Sequence, residues 1–509
     1  MGDRLLPLAS PLAGAEQSKR LPRILLFAAW LVLILWLASR HVFWRDEVRA
    51  FSLALSGGDI VQMLRNLHGE GHPAIWYLIL RIGHDLVPSP LVLQAAGTAI
   101  GIAAMAILVW RAPFRAAIVG LILFSLYGAF EYVVMARNYG MSMLVMFALA
   151  ALYPRIRDSL WFGVVLVLLC NTNVPSCFLA AAFLLMRLIE LVTADERPRR
   201  KQLTFFAGNA VLALLGAILC FITVFPTVND AASPAYANGI GAAKIVSSLF
   251  RSPYGFASIG MSVPLLAIAC LGFIRKPAAL AAAFSALLLM KLFFVLVFPS
   301  SYRHELLYLA FLISLYWMVL NGAGGRWTDR PWMSSVELAG SWVFVALLVV
   351  QTGLLYFPLK LEAEGTPYSR SADAAAIIRR PDFAGAIVMA DPDTMVEPIA
   401  QYAPGHPLWF LRSHRFGAVV PLSRAGQRVL TLDDILADMR HLHDRTGRKV
   451  VFISKAELQP RHQVFNAMYD DVTVIEPDAV ERFKAATRQI ASLRGAGSDE
   501  SYDLYVYPR

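Results

Sequence analysis

Apolar residues fill the first two-thirds of the chain in long blocks separated by short polar stretches, and beyond Lys360 they break into much shorter runs. The long blocks are Leu21–Phe43, Pro90–Trp110, Ala116–Val134, Tyr139–Tyr153, Leu160–Cys170, Val174–Ala194, Leu203–Phe225, Phe256–Ile274, Ala278–Phe298, Leu306–Leu320 and Val336–Phe357. Judged against the ~20 residues needed to cross bilayer hydrocarbon, they predict about eleven spans. Tyr139–Tyr153 and Leu160–Cys170 are the short ones. Pro73–Val87 is also apolar, but it is short and carries Arg81, His84 and Asp85, and it reads as a helix on the outer face. Before it, Asp59 is placed to cap a short helix with an apolar stripe of Ile60, Met63, Leu64 and Leu67. Pro73 stands where the first residue of the next helix belongs.

After Lys360 the pattern is that of a soluble fold. Ala386–Ala390, Leu408–Leu411, Val450–Ser454, Val472–Ile475 and Leu504–Tyr507 read as strands. Ser371–Arg379, Leu432–Asp444 and Asp478–Leu493 read as helices, and the alternation predicts a small α/β domain. The expected organisation is a cytoplasmic N-terminus over residues 1–20, a transmembrane domain over 21–359 with an outer loop at 44–89, and a soluble α/β domain over 360–509.

Composition agrees with a polytopic α-helical membrane protein. With 57% hydrophobic residues, 16% charged residues and a mean hydropathy of +0.56, the chain is too apolar for a water-soluble protein of 509 residues. The net charge of +10 does not mark a nucleic-acid surface, because the cations sit in short loops between apolar blocks. With the N-terminus inside and Pro73–Val87 not crossing, the inside loops hold Arg111 and Arg115, Arg155 and Arg157, Arg197 to Lys201, Arg275 and Lys276, and Arg326 and Arg330. Each is basic, as topology requires; counting Pro73–Val87 as a span would put them all outside. The outer face then receives Asp46 to His72, Glu131 to Tyr139, Asn171 to Asn173, Pro226 to Gly255, Pro299 to Glu305 and everything after Lys360. Lys19, Arg20 and Arg23 precede the first block without a convincing small-residue cleavage site, so that span is expected to be retained. Cys170, Cys177, Cys220 and Cys270 lie in or beside apolar blocks and form no disulfide or zinc pattern, although Cys170 and Cys177 are placed to meet across a hairpin.

Ionisable residues at a membrane boundary are costly to hold and usually functional. Trp44-Arg45-Asp46-Glu47 emerges where the first span ends, and Asp46 or Glu47 is a candidate base; the bland alternative is a solvated helix cap. Arg137 is a candidate phosphate ligand or an interfacial anchor. Tyr302-Arg303-His304-Glu305 reads equally as a phosphate or sugar contact and as a polar helix boundary. His68, Glu70 and His72 divide among substrate contact, capping and, with further ligands, metal binding. Such a set suits transfer of a sugar from a lipid-linked phosphate. The phosphate already leaves well, so the reaction needs a base for the acceptor hydroxyl and a cation for the leaving oxygen.

Asp46-Glu47 after the first span, Glu70-Gly71-His72-Pro73-Ala74-Ile75-Trp76-Tyr77 entering a surface helix, and Ala136-Arg137-Asn138-Tyr139 opening a later span together resemble the GT-C glycosyltransferase superfamily. The nearest branch contains protein O-mannosyltransferases and lipid A aminoarabinose transferases. The resemblance covers the membrane half and extends to the C-terminal domain only in kind. It implies an inverting glycosyltransferase that moves a sugar from a polyprenyl-phosphate donor to an envelope glycan, lipid or protein on the outer face of a bacterial inner membrane, with the C-terminal domain periplasmic. It assigns the base to Asp46 with Glu47 as the second acidic position. Donor-phosphate binding falls to Arg137, with Arg303 and His304 as looser matches; Tyr139 belongs to the same element as Arg137, and Asn138 replaces a common Pro. Glu70, His72, Glu131 and Tyr139 are expected on the substrate. No cofactor is assigned with certainty, and because some branches need a divalent cation and others do not, the resemblance leaves a divalent cation open. A transporter or flippase is the alternative; it would be expected to carry ionisable residues at the midplane and repeated halves. Here the polar residues gather at one face, Arg187 and Glu190 lie near an inside end, and Lys291 alone sits inside an apolar block. A non-catalytic glycan-binding protein is the third reading.

Overall fold

The computed structural model describes residues 11–13, 20–67, 70–194, 196–225, 230, 263–298, 301–325, 327, 330–469 and 471–509. Most of the expected N-terminal segment 1–20, His68, the expected loop 226–255 apart from Asp230, the first part of the expected span 256–274, Pro299, Ser300 and Arg326 therefore lie outside the described residues.

Among the described residues, eight helices are long and apolar enough to cross a membrane. They begin with α1 (Arg20–Arg40), which leads into three short helices, α2 (Arg45–Ala54), α3 (Ile60–Asn66) and α4 (Ile75–Leu86). Asp59 caps α3 as its position predicts, accepting from Gln62 N at 2.8 Å. Next come α5 (Leu91–Arg111), the short α6 (Ala116–Leu123), α7 (Tyr139–Ile156), the short α8 (Leu160–Cys170), α9 (Val174–Val192) and α10 (Arg200–Val224). The bundle is completed by α11 (Val263–Cys270), α12 (Pro277–Leu296), α13 (Tyr302–Leu320) and α14 (Pro331–Leu354), followed by α15 (Tyr356–Ala363). α13 is its axis, buried along almost its whole length.

One expected span forms differently. The block Ala116–Val134 is not a continuous helix: α6 stops at Leu123, and a π-helical turn at Tyr127–Glu131 follows. Gly128 allows this turn, because a Cβ there would stand 2.1 Å from the Ile122 carbonyl. The chain then runs from Tyr132 to Ala136 as irregular backbone that is wholly buried. Such backbone at membrane depth must find its hydrogen bonds in protein. It does: Gln94 donates to Val134 O at 2.7 Å, and Ala136 N donates to Glu47 at 2.6 Å. Gly101 lets α5 approach this run; a Cβ there would meet Val133 Cα at 2.9 Å.

The C-terminal unit starts with α16 (Ser371–Ile378) and β1 (Ile387–Asp391), followed by α17 (Glu397–Tyr402), β2 (Leu408–Phe410), β3 (Arg415–Phe416) and β4 (Val429–Thr431). It ends with α18 (Leu432–Thr446), β5 (Val450–Ser454), β6 (Gln463–Met468), β7 (Asp471–Ile475), α19 (Pro477–Ala486), β8 (Arg488–Leu493) and β9 (Tyr502–Tyr507). Six strands form one sheet in the order β3-β2-β1-β5-β9-β8, with β2, β1 and β5 parallel. β4, β7 and β6 form a second. Asp478–Leu493, expected as one helix, divides: α19 ends at Ala486, and β8 then pairs antiparallel with β9.

Direct bonds fasten this unit to the α1–α2 junction. Phe43 N donates to Tyr402 Oη at 2.8 Å, Ser371 Oγ to Phe43 O at 3.2 Å, and Arg45 N to Glu500 at 2.9 Å. Arg45 also pairs with Asp499 at 2.7 Å.

Candidate functional site

Asp46 and Glu47 occupy the first turn of α2, where the helix N-terminus favours negative charge. Neighbouring helical residues point about 100° apart, and the two carboxylates go to different places. Glu47 turns inward and its side chain is 0% exposed. It accepts from Trp44 N at 2.9 Å and Ala136 N at 2.6 Å, and His41 Nε2 lies 2.9 Å from its Oε2. Burial opposes its charge, but His41 and these donors outweigh burial and hold its carboxyl below the ordinary range. Asp46 turns outward and keeps 35% of its side chain exposed, with Arg137 Nη1 at 2.7 Å. Burial pushes its carboxyl up, but Arg137 and Arg45 prevail and leave it at about 2.

Arg137 follows the buried run directly, so the same backbone that Glu47 anchors at Ala136 also aims this guanidinium. Its Nη2 lies 3.2 Å from His72 Nε2, and its plane sits 5.7 Å from the Tyr139 ring. His72 Nδ1 lies 3.3 Å from the Asn138 amide nitrogen, and Asn138 donates to Thr172 O at 2.7 Å. Burial and the Arg137 charge push His72 down to about 3, so the ring is neutral and accepts from Arg137. Tyr139 stacks on Tyr132 with ring centres 5.6 Å apart, and its hydroxyl lies 3.0 Å from His304 Nε2. Ser301 N donates to His304 Nδ1 at 3.0 Å, which assigns the proton of the neutral ring to Nε2. Nε2–H then donates to the Tyr139 oxygen and leaves the phenol proton for another acceptor.

Arg303 approaches from the start of α13. Its Nε donates to Glu131 at 2.7 Å and its Nη2 to Tyr368 Oη at 2.8 Å, while the Trp44 ring lies 4.5 Å from its guanidinium carbon. Tyr302 Oη donates to the other Glu131 oxygen at 2.5 Å. The Arg303 charge acts on Asp46. Asp46, His72, Arg137, Tyr139, Arg303 and His304 thus adjoin one another, with Glu47 and Glu131 holding the frame from behind. Glu70 lies to one side: it takes Arg49 through two bonds of 2.8 and 2.7 Å, and Arg49 also reaches Glu397 at 2.5 Å and Val420 O at 2.9 Å. Among the described residues no group of three or more His, Cys, Asp or Glu side chains could hold a metal ion.

His41, Trp44, Arg49, Tyr368 and Glu397 were not singled out from the sequence. His41 and Trp44 flank the Asp-Glu pair and carried a signal by position; Tyr368 and Glu397 belong to a distant stretch of chain and carried none. The opposite end of the bundle is polar in a different way. There Arg187 pairs with Asp158 and with Glu190 at 3.1 Å, and Glu190 also accepts from Tyr153 Oη and Gly324 N, each at 2.7 Å. Lys291 is buried within α12 and interacts with the charge of Glu305. Cys177 Sγ lies 3.5 Å from Cys170 O, and both thiols are free.

No protein-family profile matches the sequence, and no curated protein matches it. Among solved structures, the chain is similar to ArnT from Cupriavidus metallidurans bound to undecaprenyl phosphate, at 13% identity and a TM-score of 0.48 over 95% of this chain and 97% of that one. It is likewise similar to the same protein in the apo state, at 14% identity and a TM-score of 0.49 over the same shares.

Proposed function

We propose that this chain is an inverting membrane glycosyltransferase that moves a sugar from a polyprenyl-phosphate donor to an acceptor at the outer face of a bacterial inner membrane. The observation that carries the reading is the contact of an outward-facing carboxylate, Asp46, with Arg137, beside a second guanidinium, Arg303, at one end of an apolar helical bundle. In the reaction, the acceptor oxygen bonds to the anomeric carbon as its proton passes to Asp46. The bond from that carbon to the phosphate oxygen breaks, and its electron pair leaves with the phosphate. Arg137 and Arg303 neutralise that charge, and Tyr139 offers its phenol proton to a phosphate oxygen. With Arg137 paired to it, Asp46 is ionised but weakly basic. A donor phosphate that draws Arg137 away strengthens Asp46 as a base when the acceptor arrives. Glu47 and Glu131 position these groups, Glu70 and His72 border the substrate, and no step calls for a divalent cation. The N-terminus is cytoplasmic in this reading, residues 21–359 carry the catalytic site, and the domain over 360–509 is periplasmic.

The described acid–base pairs crowd the two ends of the bundle, which favours transfer over transport. The test is a mass-spectrometric comparison of envelope glycans, lipid A and glycoproteins from a deletion strain complemented with wild type or Asp46→Asn at matched expression. A sugar missing from one acceptor in both the deletion and the Asp46→Asn strain is expected. Full restoration by Asp46→Asn would remove the assignment.

A further inference from the structure

The C-terminal unit holds a narrow cleft that the proposed chemistry leaves unused. It lies beyond the carboxyl ends of the parallel strands β1 and β2, the edge of an α/β sheet where ligands bind, and its cavity of about 40 Å³ has room for the hydroxyl-bearing edge of a ligand whose remainder stays at the surface. Thr394, Ser413, Arg412 and Tyr469 are among its lining residues. Thr394 is 4% exposed, and neither its hydroxyl nor that of Ser413 has a hydrogen-bond partner among the described residues. A buried hydroxyl without a partner is unfavourable, so each marks a place for a ligand atom.

The chemistry of the lining selects among ligands. Arg412 is the cation at the cleft floor, but its charge is spent within the fold. Nη2 donates to Asp391 at 3.1 Å and Thr473 Oγ1 at 2.8 Å, and Nη1 donates to Gln427 O at 3.0 Å and Arg428 O at 3.2 Å. The unpartnered groups are the hydroxyls of Thr394 and Ser413, each both donor and acceptor, and they stand beside the carboxylates of Asp393 and Asp471, which accept hydroxyl protons and repel anions, and the apolar faces of Val420, Pro421 and Tyr469. That combination fits the hydroxyl-bearing edge and C–H face of a sugar ring, not an anion.

The wall of the cleft is bonded to the α2 segment that carries Asp46. The wall residue Val420 accepts from Arg49 at 2.9 Å and donates to Glu397 at 2.9 Å. Tyr469, on its rim, adopts a left-handed backbone with φ of 51° and feels the charges of Arg49, Glu70 and Asp46. Holding a tyrosine there costs about 1 kcal/mol or more.

We propose that this cleft is a carbohydrate subsite that grips the glycan portion of the acceptor and presents its hydroxyl toward Asp46. The inference rests on the transferase reading for its direction but not for the binding itself. The test is saturation-transfer NMR on the full chain in lipid nanodiscs with the methyl glycosides of glucose, galactose, mannose and N-acetylglucosamine. At least one glycoside is expected to receive saturation on its ring protons. The signal should fall about fivefold or more in Thr394→Val and in Ser413→Ala, one hydrogen bond being lost in each. It should persist in Asp46→Asn and against millimolar inorganic phosphate. No transfer to any glycoside, transfer in both variants undiminished from wild type, or displacement by phosphate would overturn the proposal. Glycoside binding with these dependences in a protein whose Asp46→Asn variant still restores the envelope would uphold the subsite and reject the transferase reading alone.

Discussion

Replacing each member of the Asp46-Glu47 pair by its amide should separate chemistry from architecture. Gln at position 47 retains one acceptor oxygen, whereas the carboxylate serves Ala136 N through one oxygen and Trp44 N through the other. The new amide NH2 must face one of these donors. A buried donor left unsatisfied costs about 1–3 kcal/mol, and loss of the charge-assisted bond to His41 adds about 1.5–3 kcal/mol. Together they amount to about 2.5–6 kcal/mol, a large part of the stability of an ordinary domain. Asp46→Asn removes a partly exposed pair contributing about 1 kcal/mol at most, but it removes the base, a loss of about 10²–10⁴-fold in transfer. Thermal unfolding of the purified proteins in one detergent, followed by tryptophan fluorescence at a fixed scan rate, is compared with the amount of sugar transferred per folded molecule. Glu47→Gln should melt markedly earlier, while Asp46→Asn melts near wild type and is inactive. Equal melting points for Glu47→Gln and wild type, or an active Asp46→Asn, would refute the division of roles.

Arg49→Met should destabilise by about 3–5 kcal/mol, because it leaves the buried carboxylates of Glu70 and Glu397 without their shared cation; limited proteolysis between Ala363 and Ser371 should then accelerate. Gly101→Val should cost about 1–3 kcal/mol by pressing on Val133, and should lower transfer by displacing the run that aims Arg137. Arg303→Lys loses the fork that serves Glu131 and Tyr368 and should raise donor KM about tenfold, measured with acceptor saturating. Burial, with Arg49 and Arg45 opposing it, pushes Glu397 and Glu500 each up to about 7 from an unfolded value of 4.5. The folded state therefore holds extra protons on these two groups between these values, so the stability they contribute is full below 4.5, declines as pH rises through 7 and then levels off. The melting temperature should fall from pH 5 to 8, and Glu397→Gln should flatten that slope.

The helical bundle and the α/β unit were legible because burial imposes a period on the sequence. Long apolar blocks became α5, α9, α10 and α12 nearly to the residue, and Val450–Ser454 became β5 without change. Hydropathy could not reveal that Ala116–Val134 breaks into a helix, a π turn and buried irregular backbone. Its residues are as apolar as those of a span, and the reason for the break is tertiary: Arg303 and Tyr302 draw Glu131 sideways. β8 was hidden in the same way. Residues 488–493 continue the pattern of α19, and only the partner strand β9 makes them a strand.

The site was partly legible for a different reason. Charged residues in an apolar chain are few, so Asp46, Arg137 and Arg303 stood out before any contact was known. Their partners did not, because a sequence records which groups are present but not which way each one turns. Asp46 and Glu47 show the limit. They are adjacent, alike in charge and alike in distance from the first span, yet one turn of α2 sends one to the cleft and the other into the protein. What decides between them is the complement waiting on each side: His41 and the Ala136 amide fit a carboxylate that needs no solvent, while Arg137 meets one that keeps it. Exchanging the two, as in the double variant Asp46→Glu with Glu47→Asp, keeps both charges but shortens the buried arm and lengthens the exposed one. The shortened Asp at 47 cannot span from Trp44 to Ala136, so the double variant should lose stability like Glu47→Gln, whereas Asp46→Glu alone should melt near wild type. Wild-type melting of the double variant would show that charge, not reach, fixes the loop.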